Sequence, residues 1–154
     1  MKVRKAKLKD LDEICNMAET MLIFHNSIDS FFSPNKKSKI FLHKYFKTCI
    51  YNWRCRLLVL EDKEKLIGYI LASLRMRPPI FKESKMGFIE DLYISEKYRR
   101  SGYGKLLIEE IIKWCKNHKI SNIELTVHSK NEIGKIAWKK YGFQEYMSKM
   151  RASI

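Results

Sequence analysis

Between Tyr98 and Lys105 the chain reads Tyr-Arg-Arg-Ser-Gly-Tyr-Gly-Lys. Two arginines, two closely spaced glycines and a lysine gather where a β-type stretch, Met86 to Ile94, gives way to a helical one, Tyr103 to His118. Such a turn leaves the first N–H groups of the helix without acceptors and aims the positive end of its dipole at one point. Arginine grips phosphate oxygens in pairs. The chemistry available here is the holding of an anion, with a pyrophosphate as the natural fit. Spacing excludes two familiar phosphate motifs. A dinucleotide fingerprint requires a third glycine where Leu107 stands, and a P-loop requires Ser or Thr where Leu106 stands.

The elements that must position this turn follow from periodicity. Val3 to Ala6 reads as a strand, and from Lys9 a helix carries Leu11, Ile14, Cys15, Ala18, Met21 and Leu22 on one face. Ser27 to Asn35, with Pro34, breaks the pattern before a second helix near Lys37 to Tyr51. Arg56 to Glu61 and Leu66 to Leu74 read as a hairpin, with Gly68 marking a bulge or a close backbone approach. Met76 to Lys85, containing Pro78-Pro79, is a loop placed to border a substrate entrance. After the glycine turn and its helix come a strand from Ile120 to His128, a short helix from Asn131 to Tyr141 closed by Gly142, and a last strand from Phe143 to Met150. The order β-α-α-β-β-β-α-β-α-β implies a mixed α/β architecture.

With 154 residues, 45% of them hydrophobic, the chain is expected to form one domain over residues 1–154, with a core that needs no staples. Cys15, Cys49, Cys55 and Cys115 form no CxxC pair, and no histidine cluster has metal-binding spacing, so no metal site and a reduced, cytoplasmic setting are expected. No secretory h-region or membrane span is apparent. The net charge of +14 invites nucleic acid as a partner. Lysines spread along the chain fit solvated faces better. In the densest patch, Lys36 to Lys47, helical spacing puts Ile40, Phe41, Tyr45 and Phe46 in one apolar stripe, and core packing is preferred there to nucleic-acid contact.

Arg99, Gly102 and Gly104 fit the pattern Gln/Arg-x-x-Gly-x-Gly/Ala, which resembles the acetyl-CoA signature of the GNAT superfamily of N-acetyltransferases. The opening VRKAKLKDLDEI, the block GFIEDLYISEKYRRSGYGKLLIEEII and the block NEIGKIAWKKYGF are similar to three successive motifs of that family. The resemblance implies a GNAT-like mixed, mostly antiparallel sheet flanked by helices, whose splayed central strands receive the pantetheine arm of acetyl-CoA. It implies that the segment Leu92, Tyr93 and Ile94 offers backbone groups to that arm, chiefly through Leu92 and Ile94. It further implies that Arg99, Arg100, Ser101, Gly102, Tyr103, Gly104 and Lys105 bind the pyrophosphate, while Asn131 and Lys140 touch the distal part of coenzyme A. Asn131 is equally suited to cap its helix.

Acetyl transfer to an amine needs that amine neutral. A lysine-like amine of pKa about 10.4 costs roughly 4 to 5 kcal/mol to deprotonate at pH 7, whereas releasing a thiolate of pKa about 8.5 costs only about 2 kcal/mol. A base therefore matters more than an acid. Glu90 resembles the strand-four glutamate that serves as base in many members, and strict alternation puts it on one face with Phe88, Leu92 and Ile94, opposite Ile89, Asp91 and Tyr93. Trp138 stands where the family's proton-donating tyrosine falls, and an indole does not ionise usefully. Tyr141, Tyr93 or solvent is left for that role, and Tyr141 is the catalytic candidate beside Glu90. Gly134 also replaces the usual alanine.

The acceptor is expected to be a small amine, an aminoglycoside-like molecule, or a protein N-terminus or lysine. A +14 surface argues against free polyamines. A different class, a coenzyme A-binding or RNA-binding module with weakened catalysis at Trp138, is the competing reading. A homodimer is the default assembly.

Overall fold

The computed structural model describes residues 1–154. Five strands, β1 (Lys2–Lys5), β2 (Cys55–Asp62), β3 (Lys65–Met76), β4 (Lys85–Ile94) and β5 (Ile123–Leu125), form one open sheet in sequence order. All neighbours are antiparallel except β4 and β5, which run parallel. Helices α1 (Leu11–Ile28) and α2 (Ser38–Tyr51) cover one face, and α3 (Tyr103–Asn117) covers the other, with α4 (Glu132–Lys140) beside it.

β3 is the centre because its run from Leu66 to Ala72 is buried on both sides. Tyr69 and Leu71 pack toward Ile14, Ala18 and Phe46, while Ile70 and Ala72 pack toward Leu107, Ile108 and Ile111. A side chain of this size contributes about 1.5 to 3 kcal/mol when fully buried, so this double-sided strand holds both helical layers to the sheet. An extra residue, Ile67, bulges from β3 opposite Leu60 and Glu61, beside the expected Gly68. At the first edge Arg4 binds Asp10 through two nitrogens (2.7 and 3.0 Å) and Glu61 through Nε (2.7 Å), tying β1 to the start of α1.

Three expectations change. The last strand is absent: after the Phe143 N–H to Trp138 carbonyl bond, the chain makes no further backbone hydrogen bond. The expected strand from Ile120 to His128 shrinks to Ile123–Leu125, and so short an edge offers a following segment little ladder to pair with. Residues beyond Phe143 are held by side chains instead, with Glu145 on Lys135 and Arg151 on Asp29. On α2, only Phe46 and Cys49 are buried, whereas Ile40, Phe41 and Tyr45 stay exposed. The helix is apolar on more than one side, and spacing alone does not say which side faces the sheet.

Candidate active site

The turn after β4 has the geometry of an anion cradle. A single helical turn at Glu96–Tyr98 leads to Arg100 at φ 63° and Gly102 at φ 80°, both left-handed, and α3 begins at Tyr103 without a side-chain cap. The N–H groups from Arg100 to Gly104 meet no acceptor in the chain. A Cβ at Gly102 would meet nothing within 4 Å, so the space over the helix end is open. Arg100 and Lys105 are exposed beside it, while Arg99 donates through Nε to the Ile94 carbonyl (2.9 Å) and closes the end of β4. These free donors and cations fit a pyrophosphate.

β4 and β5 are paired only from Gly87 to Ile89. The Ser95 N–H donates to Ile67 on β3 (2.8 Å), and since backbone groups alternate sides along a strand, Leu92 and Ile94 direct theirs away from β3. The side they face holds no strand, because β5 has ended. This gap is the splay expected from the resemblance, and it offers hydrogen bonds to an extended amide-bearing chain.

On the other face, the register overturns strict alternation. Asp91 pairs with Leu71 and Ile89 with Ala72, which leaves Glu90 as an extra residue in a β-bulge. Glu90, Asp91 and Tyr93 consequently share the α1/α2 face with Phe88, while Ile89, Leu92 and Ile94 face α3. The two carboxylates differ in their surroundings. Glu90 is clamped by both of its oxygens on Arg75 Nη2 (2.9 and 2.7 Å) and accepts from Ser73 Oγ (2.5 Å), and Arg75 itself lies 3.3 Å from the centre of the Phe88 ring. Asp91 has no cationic partner. Dense protein surroundings and then the adjacent Glu90 charge raise its pKa to about 6, although the side chain keeps partial access to solvent. The buried Tyr69 hydroxyl nearby moderates that rise, although it completes no hydrogen bond of its own. On the same face, Tyr45 of α2 has its phenol pushed up, first by burial and then by nearby acidic groups that include Glu90 and Asp91.

Tyr141 lies on the α3 face. A Cβ on Gly104 would come within 2.6 Å of its hydroxyl, so the phenol rests against the first turn of α3, and burial raises its pKa. Trp138 is packed edge-on between Tyr141 and Phe143 (6.0 and 5.3 Å between centroids). Asn131 caps α4, its Oδ1 accepting from the Gly134 N–H (2.9 Å), and a Cβ at Gly134 would press within 2.6 Å of the Asn131 Nδ2. The glycine in place of alanine thus accommodates the cap. Lys140 ends α4 exposed and unpaired. Sequence reasoning missed Asp91, Arg75 and Tyr45 as site residues. The signal for the first was present, because adjacent carboxylates in a half-buried strand demand either a bulge or a buried charge.

A model of the acetyltransferase (GNAT) family matches residues 22–143. A curated N-alpha-acetyltransferase of Sulfurisphaera tokodaii is 24% identical over 152 residues, covering 94% of this chain and 80% of that relative. A mutant of the BH1408 protein of Bacillus halodurans is 25% identical, with a TM-score of 0.91 over 100% of this chain and 99% of that one. The crystal structure of a predicted acetyltransferase with acetyl-CoA from Clostridium acetobutylicum is 23% identical, with a TM-score of 0.80 over 99% and 95% of the two chains.

Proposed function

Because the chain belongs to the acetyltransferase (GNAT) family of acetyl-CoA-dependent N-acetyltransferases, we propose that it acetylates a primary amine held at the Glu90–Asp91 bulge, by direct transfer in a ternary complex. Acetyl-CoA supplies the acetyl group as a thioester, so a C–N bond forms as a C–S bond breaks and no electrons are gained or lost. The free N–H groups from Arg100 to Gly104, with Arg99, Arg100, Ser101, Tyr103 and Lys105 around them, hold the pyrophosphate. The backbone of Leu92 and Ile94, either side of Tyr93, aligns the extended arm, and a backbone N–H near Leu92 faces the developing oxyanion. Asn131 and Lys140, at opposite ends of α4, remain candidates for the distal part of coenzyme A. The cap engages only the Oδ1 of Asn131.

The observation that carries the mechanism is the bulge, which turns two carboxylates to one face where Arg75 pairs with only one of them. Glu90, anchored by Ser73 and Arg75, raises the pKa of its neighbour Asp91. Asp91 takes the proton of the bound ammonium, so the base moves one residue along from the strand-four glutamate. With a pKa near 6 it is ionised at pH 7 and still basic enough to act. Tyr141, kept protonated by burial, gives its proton to the departing sulfur, and the second amine proton restores the phenol, so one proton in all reaches the thiol.

Release of the coenzyme A thiol with a panel of amines tests this. Asp91→Asn is expected to lower kcat by about 100-fold or more. Glu90→Gln removes the like charge and frees Arg75, so the rising limb of the pH–rate profile should move to lower pH while activity persists at pH 7. A robust rate in Asp91→Asn would return the base to Glu90 or to water.

A further inference from the structure

A groove of about 400 Å³ runs between the end of α1, the loop at residues 29–37 and the outer side of α2. Leu22, Phe32, Phe41, Leu42 and Tyr45 form its walls, and none of the residues lining it carries a charge. Phe41 and Tyr45 remain 55% and 45% exposed, and Phe31 at the rim is 71% exposed with Arg151 stacked on its ring at 4.0 Å. Open aromatic surface concentrated in one concavity marks a place where an apolar group is received. The groove and the candidate site lie on the same side of the sheet: Tyr45, which lines the groove, packs on Phe46 (5.5 Å between centroids), Phe46 on Tyr69 (5.6 Å), and Tyr69 on Tyr93 (6.4 Å), two residues from Asp91.

We propose that this groove is the side-chain subsite of the acceptor, and that the acceptor is a peptide N-terminus whose first residue is large and apolar, its α-amine lying at Asp91. The proposal rests on the reading of the Glu90–Asp91 pair given above. Charge complementarity limits the acceptor to one cation there. Arg75 pairs with Glu90, so a single unpaired carboxylate faces the amine, and the uncharged groove has nothing to pair with the further ammonium groups of a polyamine or an amino sugar. The +14 chain would repel such polycations as well. Base strength points the same way. A carboxylate of pKa about 6 lies about two units below a peptide α-amine, of pKa about 7.7 to 8.0, and more than four units below a lysine or alkylamine, of about 10.4. It can share a proton with the first far more readily than with the second.

The test is kcat/KM measured by thiol release on short peptides beginning with Leu, Phe or Met against the same peptides beginning with Ser or Gly. Spermidine, kanamycin and an α-blocked lysine peptide serve as the other acceptors. Apolar first residues should be favoured by about tenfold or more, with the other acceptors slower still. Phe41→Glu, at an exposed position, should collapse the Leu-to-Ser ratio toward one, and Phe41→Ala should narrow it partway. Retained acetyl-CoA binding and melting temperature would show that each variant is folded. Equal rates on Leu-first and Ser-first peptides, or faster turnover of spermidine, kanamycin or the blocked lysine peptide, would overturn the subsite while leaving the acetyltransferase reading intact. An unchanged Leu-peptide rate in Asp91→Asn would instead overturn the reading beneath it.

Discussion

The raised pKa of Asp91 comes at a cost to folding. Its pKa is raised above the ordinary carboxylate value by burial and by Glu90, so between about pH 4 and pH 6 the folded state binds more protons than the unfolded one, and stability falls as pH rises through that window. Two pK units correspond to about 3 kcal/mol, and partial solvent access reduces this to about 1 to 2 kcal/mol. Asp91→Asn should therefore melt higher than the parent at pH 7 and lose that advantage near pH 4, as followed by thermal denaturation across pH. A stabilisation equal at both pH values would mean that charge is not its source. At Tyr141 the expected effect is smaller. Releasing a thiolate unprotonated costs about 2 kcal/mol at pH 7, so Tyr141→Phe should slow turnover by no more than about 30-fold. A loss beyond that would show the phenol to do more than donate this proton.

At the scale of elements, the turn between β4 and α3 depends on its two glycines for different reasons. Gly102 supplies a left-handed φ of 80°, and replacing it with Ala costs about 1 kcal/mol of strain without filling occupied space. Gly104 has an ordinary helical place, but its missing Cβ admits the Tyr141 hydroxyl. Gly104→Ala should displace Tyr141 and weaken acetyl-CoA binding and turnover together, a loss read by calorimetric titration and thiol release. If Gly104→Ala keeps parental affinity and rate, the contact has no functional consequence. The turn itself was legible in the sequence because its donors come from consecutive residues. The β4 bulge was legible only as the alternative to strict alternation, since two adjacent carboxylates share a face only across a bulge. Alternation places Glu90 and Asp91 on opposite faces, and only the register against β3, where Leu71 and Ala72 face Asp91 and Ile89, shows the extra residue. The same holds for α2, whose Phe41, Tyr45 and Phe46 all repeat at helical spacing although only Phe46 enters the core.

Across the whole molecule, 31 basic against 17 acidic residues create a positive field that attracts a polyphosphate ligand. Salt screens it over about 10 Å at 0.1 M. The KM for acetyl-CoA should accordingly rise several-fold between about 20 mM and 0.5 M salt, with kcat much less affected. A flat KM would confine recognition to the turn's own short-range contacts. No helix of the chain is long and apolar enough to cross a membrane. By itself the sequence determined the glycine turn with its free donors, the order of the elements through α4 and the α/β class, because each depends on neighbours along the chain: glycines at a turn, periodic apolar residues, a cap at Asn131. Tertiary structure alone decided which carboxylate is free, which side of α2 is open, and that no strand follows α4. Those outcomes depend on register, on Arg75 reaching Glu90 from another strand, and on how short an edge β5 presents. Such contacts join residues far apart in the chain, and no local pattern encodes them.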